Sequence, residues 1–298
     1  MSIDTIIAID WSARSKPSAK KPVKDAIYLC AQRQGQPIAH PLYFRTRRAV
    51  MQHLYALLET EMTAGRKTFV GFDFSLGYPQ GFAKALTGKP EAMAVWDWLT
   101  ERIEDAPDNS NNRFEVAAEI NKIFAGIGPF WGAPAQLKLP SLPHKGAARH
   151  SNGLPEYRQT DLAAKAHSAW KLYTTGAVGS QSLLGLPYLS ELRKWLGQRC
   201  QVWPIEGCKL LPRASVVVGE IYPSILAAKE IMADYIKRWP DQLYDILDAQ
   251  QVRGSCEQLQ RMFQTDPLFQ SFIPADIPAN IRIEEGWIMG GSFVRGRQ

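Results

Sequence analysis

Cysteine is scarce in this sequence. The four present, Cys30, Cys200, Cys208 and Cys256, form no CxxC pair, and their scatter excludes a zinc site assembled from local pairs. Reduced, mostly buried thiols are the expectation. The five histidines, His40, His53, His144, His150 and His167, show no HExxH spacing. His144 and His150 bracket the basic loop HKGAARH, where a histidine reads either as a general base near a phosphate or as a solvated loop residue. No GxSxG elbow occurs, which leaves Ser-His-Asp chemistry without support. No GxxxxGK[ST] pattern occurs, so there is no P-loop. No apolar run is long enough to span a bilayer. The opening MSIDTIIAIDWS lacks a basic leader and carries Asp10 in its apolar stretch. It reads as a buried strand rather than a signal peptide, and the expectation is a cytoplasmic protein with no membrane partner. Internal repeats and low-complexity segments are absent as well.

What is present is an ordinary globular composition. The chain has 298 residues, 45% of them hydrophobic and 21% charged, enough for a sizeable core without staples. We read it as a single domain over 1–298 with an insertion at about 82–200. The net charge of +6 is compatible with an anionic partner such as nucleic acid, although many proteins without one are as basic.

Apolar runs predict strands at Thr5–Asp10, Ala26–Ala31 and Ile38–Phe44, the last two joined by the turn QGQP. Val50, Leu54, Leu57, Leu58 and Met62 share one face of a helix over Arg48–Met62, closed by Gly65. Thr68–Phe74 follows as a fully buried strand. The order β-β-β-α-β starts an α/β fold. Residues 82–200 are rich in tryptophan and in loops such as GPFWGAP and KLPSLPHKG, and are expected to add helices and long loops on one side of the sheet. Within them Ser190–Leu196 reads as helical. Gln201–Ile205 and Ser215–Ile221 resume the strands, Ile225–Tyr235 and Pro240–Phe263 read as helices, and Ile281–Met289 as an edge strand.

Three acids sit where apolar residues belong. Asp10 ends IIAID, Asp73 interrupts FVGFDFS, and Glu220 follows VVVG. An unpaired carboxylate in such a setting is costly, so each needs a partner or a metal. A fourth, Asp248, shares the helical stripe Tyr244, Val252, Ser255, Leu259 and Phe263. Acids gathered at one sheet edge form a hard oxygen site suited to Mg²⁺ or Mn²⁺. Metal-dependent phosphodiester cleavage requires such a cluster. Asp10, Asp73, Glu220 and Asp248 are therefore the candidate catalytic residues and metal ligands. A cap or an ion pair is the alternative for each, and for Glu220 an arginine partner in particular.

The ordered set IAIDWSA (Ile7–Ala13), VGFDFSLGYP (Val70–Pro79), RQTD (Arg158–Asp161), GEIYPS (Gly219–Ser224), LDAQQVRG (Leu247–Gly254) and EEGWIMG (Glu284–Gly290) resembles the RNase H-like superfamily. The likeness is closer to the predicted nucleases known as domain of unknown function 429. It implies a mixed sheet flanked by helices and a catalytic carboxylate cluster, with Asp10 as the first-strand acid, Asp73 as the fourth-strand acid and Asp248 as the acid of the late helix. Glu220 falls in the strand motif of an acid followed by Tyr-Pro.

Arg158, Lys16 and Ser12 are further candidates, for contacting substrate. Arg158 could clamp a phosphate or form a helix-start ion pair with Asp161, and Thr160 could cap that helix. Lys16, Lys20, Lys21 and Lys24 could steer a nucleic-acid backbone or form a solvated loop. Gly176–Pro187 could offer backbone N–H groups to a phosphate or be a tight connection. Trp131 could stack on a base or pack in the core. The expected substrate is a nucleic acid or another phosphodiester. The competing readings are an ATP-dependent phosphotransferase of the actin and sugar-kinase type and a non-catalytic binding protein.

Overall fold

The computed structural model describes residues 2–146, 152–227, 246–267, 269 and 272–290. Its strands are β1 (Thr5–Asp10), β2 (Ile27–Arg33), β3 (Leu42–Phe44), β4 (Thr68–Phe72), β5 (Cys200–Val202) and β6 (Val216–Glu220). The helices are α1 (Arg47–Thr63), α2 (Phe82–Thr87), α3 (Ala92–Thr100), α4 (Arg113–Asn121), α5 (Gln159–Ala164), α6 (Val178–Leu196), α7 (Pro223–Leu226), α8 (Leu247–Thr265) and α9 (Ala279–Glu285). The strands form one mixed sheet in the order β3-β2-β1-β4-β6-β5. β2 runs antiparallel to both β1 and β3, while β1, β4, β6 and β5 run parallel.

Two apolar cores lie on opposite faces of this sheet, and strand alternation assigns residues to them. Ile7 and Ile9 of β1, Val70 and Phe72 of β4, and Val216 and Val218 of β6 enter the larger core with α1 and the helices of the 82–200 segment. Ile6, Ala8, Phe69 and Val217 enter the smaller one beneath α8, whose Val252, Cys256, Leu259 and Phe263 face the sheet. The expected α/β class, the β-β-β-α-β opening and the helical middle segment are all present.

Several element limits differ from expectation for local reasons. β3 is confined to Leu42–Phe44 because Pro41 cannot donate to the ladder. β5 likewise stops at Val202, short of Pro204. Ile281–Met289 is not an edge strand. Its first half is α9, with Ile281, Glu284 and Glu285 all buried, which is helical spacing. Near its end Ile288 bridges to Glu220. Gly176–Pro187 is not a connection: from Val178 it is the first half of the 19-residue α6. Gly185 is needed there, since a Cβ would stand 2.2 Å from the Phe74 ring. Of the expected helix over Ile225–Tyr235, Ile225 and Leu226 close the short α7, Ala227 is its non-helical cap, and 228–235 lie outside the described residues, as does Pro240–Asp245 of the next expected helix.

The turn after β4 packs against α9 without room to spare. A Cβ on Gly77 would fall 2.2 Å from the Glu284 carbonyl oxygen. Gly77→Ala is therefore expected to destabilise the protein by about 2–3 kcal/mol through overpacking, measurable by urea unfolding.

Candidate functional site

β1, β4 and β6 are parallel neighbours in register, with Ile9 beside Phe72 and Phe72 beside Glu220. Their C-terminal ends thus meet at one sheet edge. From β1 the chain turns back through β2 on one side, whereas from β4 it departs into the helical segment on the other. Such a divergence opens a crevice beyond the carboxyl ends of the strands. A cavity of about 930 Å³ lies there, lined by Asp10, Asp73, Glu220 and Asp248, with Ser12 and Arg158. All four predicted acids and two of the three predicted substrate contacts therefore reach one cavity. Lys16 does not. It is solvent-exposed and outside the lining, which Arg14 and Ser15 of the same loop reach.

Asp10 and Asp73 form a pair. Asp10 follows Ile6 and Ala8 in alternation and so faces α8, and Asp73 follows Phe69 toward the same side. Their carboxyl groups are in hydrogen-bond contact. Burial first, then Asp73, Asp248 and Asp25, raise the Asp10 pKa well above the usual carboxylate range. Burial likewise pushes Asp73 up to about 6, against the stabilising N–H of Trp11, which donates to Asp73 Oδ1 at 2.6 Å. Both shifts favour a proton held between the two carboxylates. Asp248, in the first turn of α8, accepts the Asp25 N–H at 2.5 Å through Oδ2, and burial raises its pKa also.

Asp25 is a residue the sequence reading passed over. It adopts a left-handed backbone, φ 57°. Its carbonyl accepts Ser12 Oγ at 2.8 Å and Arg14 Nε at 3.0 Å, so it ties the loop after β1 to α8. The signal was faint: an aspartate tolerates positive φ, but nothing local marked this one.

Glu220 is brought to the cavity but not to the pair. It shares the alternation of Val216 and Val218, so its side chain lies on the other face of the sheet. There Arg158 grips it through Nη1 and Nη2 at 2.7 and 2.6 Å, and Leu76 N–H donates to Oε2 at 3.0 Å. Arg158 also binds Asp161 at 2.7 Å and the Glu285 carbonyl at 2.9 Å. Burial works against the arginine's charge, but Asp161 and Glu220 together hold its pKa well above normal. Burial raises the Glu220 pKa, and Arg158 opposes that rise. Of the two readings for Arg158, the geometry shows the ion pair, with Asp161 also accepting the Arg158 N–H at the helix start. Thr160 instead accepts the Ile288 N–H at 2.9 Å.

The EEGWIMG motif has a structural task. Glu284 accepts the N–H groups of Gly81 and Ala83 at the start of α2. Glu285 accepts those of Gln80 and Gln159. Together they fasten the turn after β4 and the start of α5 beside the cavity. Trp131 borders the larger core, its ring against Gly146 and Lys171. His144 Nδ1 contacts the Ala133 carbonyl at 2.9 Å, and His150 lies outside the described residues.

The donors around the Asp10–Asp73 pair are carboxylate oxygens, the ligand chemistry of Mg²⁺ and Mn²⁺. Their raised pKa values show crowded negative charge, which a cation in place of the shared proton would relieve. On donor type and charge the residues fit a divalent ion. Among the described residues no three acid, histidine or cysteine side chains stand together as a finished ligand set, and Asp248 is occupied by the Asp25 N–H. Nor is any described helix long and apolar enough to cross a membrane. Compared with models of protein families, with curated proteins and with solved structures, the chain matches none.

Proposed function

We propose that this chain is a metal-dependent phosphodiesterase or nuclease of the RNase H-like type, with Asp10 and Asp73 as its central ligands and Asp248 as a third acid. The observation that carries this reading is the Asp10–Asp73 pair, in side-chain contact at the ends of adjacent parallel strands, with Asp248 in the lining of the same cavity. The antiparallel β1-β2-β3 ribbon, with β4 parallel to β1, is in keeping with that fold. So are the acids on the first strand, after the fourth and on a late helix, as in the nucleases of domain of unknown function 429. A cytoplasmic setting accords with Cys30 and Cys256, which touch yet stay unbonded.

Bound at the pair, Mg²⁺ or Mn²⁺ would supply an activated water and stabilise the leaving oxygen of a phosphodiester. The chain's own groups prepare that site. Trp11 N–H orients Asp73, and the Asp25 backbone positions Ser12, Arg14 and Asp248 around it. Arg158 holds Glu220 in a bidentate pair, so Glu220 braces β6 and stays outside the ligand set. A nucleic acid, or another phosphodiester able to enter the cavity, is the substrate class. The test is cleavage of labelled DNA and RNA with Mn²⁺ or Mg²⁺. Cleavage by the wild type and none by Asp73→Asn supports the reading, and equal rates in both would defeat it.

The raised pKa values set a pH dependence. A metal must displace the shared proton, so affinity rises with pH. The Mn²⁺ association constant is expected to increase by up to about tenfold per pH unit between roughly pH 5 and 7, with proton release. Calorimetry in buffers of different ionisation enthalpy measures both.

A further inference from the structure

Arg113 is a buried cation that the carboxylate chemistry does not use. It opens α4, is 6% exposed and lines the cavity. Its Nε donates to Ser180 Oγ at 2.9 Å, and its Nη1 to Ser15 Oγ at 2.9 Å and Asn111 Oδ1 at 2.7 Å. All three partners are neutral. Nη2 makes no hydrogen bond among the described residues. No carboxylate there is in ion-pair contact with Arg113. Asp105, close enough to influence it, is taken by Arg47 in a two-point pair with both contacts at 2.6 Å. Burial and the charge of Arg47 push the Arg113 pKa down to about 10, which leaves it charged at neutral pH. The guanidinium also lies over the Phe114 ring at 4.3 Å, and Glu115, like Asp105, acts on it from a distance. A buried charge with no direct ion pair is expensive, and an anion compensates it.

The groups around it suit one. Ser180 lies in the first turn of α6, a 19-residue helix whose N-cap, Ala177, offers no capping side chain. The N–H groups of Val178 and Ser180 have no acceptor among the described residues, and Gly176, Ala177 and Val178 line the same cavity. Helix starts with free N–H groups carry partial positive charge. The Arg14 guanidinium, on the loop after β1, donates among the described residues to the carbonyls of Asp25 and Lys24. The lining thus carries, besides the acids Asp10 and Asp73, a buried cation without an ion-pair partner beside a helix start.

We propose that Arg113, Ser15 and the first turn of α6 form a subsite for a phosphate group. Phosphate offers several oxygens for the free Nη2 and the two N–H groups, and its charge offsets the buried guanidinium. The subsite needs no metal and stands without the carboxylate reading. Joined to that reading, on which this extension rests, it means that the preferred substrate carries a second phosphate near the scissile one.

The test is a titration of the full chain with inorganic phosphate in a divalent-free, chelator-containing buffer, followed by calorimetry. Saturable binding is expected in the wild type. Arg113→Gln should weaken it by at least about tenfold, the value of a lost charged hydrogen bond. Lys89→Gln, on an exposed loop, should leave it unchanged. Should Arg113→Gln fail to fold, Ser15→Glu serves instead: Ser15 is exposed, and a carboxylate there should abolish phosphate binding by repulsion. No saturable binding in the wild type, or equal affinity in the folded variants, would overturn the subsite. Neither result would touch Mn²⁺ binding at Asp10, so the two readings fail separately.

Discussion

Asp10→Asn is expected to weaken the protein as an enzyme and strengthen it as a fold. Mn²⁺ binding should vanish, and cleavage should fall by about 10²–10³-fold, as for other groups that act on the reacting charge. The metal-free variant should at the same time be more stable than the wild type at alkaline pH. The sign follows from the raised pKa of the pair. The folded state binds the shared proton more tightly than the unfolded chain. That stabilisation is whole at acid pH and is lost as pH rises through the folded-state value, about 6 for Asp73. Asparagine removes one of the two crowded charges. The gain should be on the order of 2 kcal/mol at pH 8, or about 4–8 °C in Tm, shrinking toward zero near pH 5. Thermal unfolding across pH, with chelator present, measures it. A variant less stable than the wild type at pH 8 would mean that the two carboxyls are not in conflict.

The second large effect concerns Arg158. Replacing it by Met leaves Asp161 and Glu220 buried and without their counter-charge. Breaking a buried pair in this way costs about 3–5 kcal/mol. Urea unfolding of Arg158→Met should show that loss, and adding Glu220→Gln should restore part of it, because the two residues are coupled. Glu220→Gln alone should leave Mn²⁺ affinity within a few-fold of the wild type. A loss of metal binding as complete as that of Asp10→Asn would instead return Glu220 to the ligand set.

Glu220 shows where sequence legibility ended. Its position on a buried strand was evident, as were those of Asp10 and Asp73. Which face it takes depends on alternation counted from the end of β6 and on the register with β4, and a shift of one residue reverses the face. The arginine alternative was visible; its owner, Arg158, lies 62 positions away in a segment with no strand pattern. Asp248 was legible because it shares a stripe with Val252, Ser255 and Leu259 that does face the sheet. Arg113 was not legible, since an arginine at a helix start gives no sign that it will be buried without a carboxylate. The α9 helix is hidden in the sequence because IRIEE alternates like a strand, and the burial of Glu284 and Glu285 against the turn after β4 reveals helical spacing. Glycine and proline around Gly176–Pro187 suggested a loop, whereas in α6 the glycines admit close packing, Gly185 against Phe74 and Gly179 against the Ala169 carbonyl.

The central claim is that Asp10 and Asp73 exchange a shared proton for a divalent cation. Calorimetric titration of wild type and Asp10→Asn with Mn²⁺ at about pH 6, the Asp73 value, where the pair still carries its proton, tests it most directly. Saturable binding with proton release in the wild type, absent in the variant, is the predicted result. Equal binding in both, or binding without proton release, would contradict it.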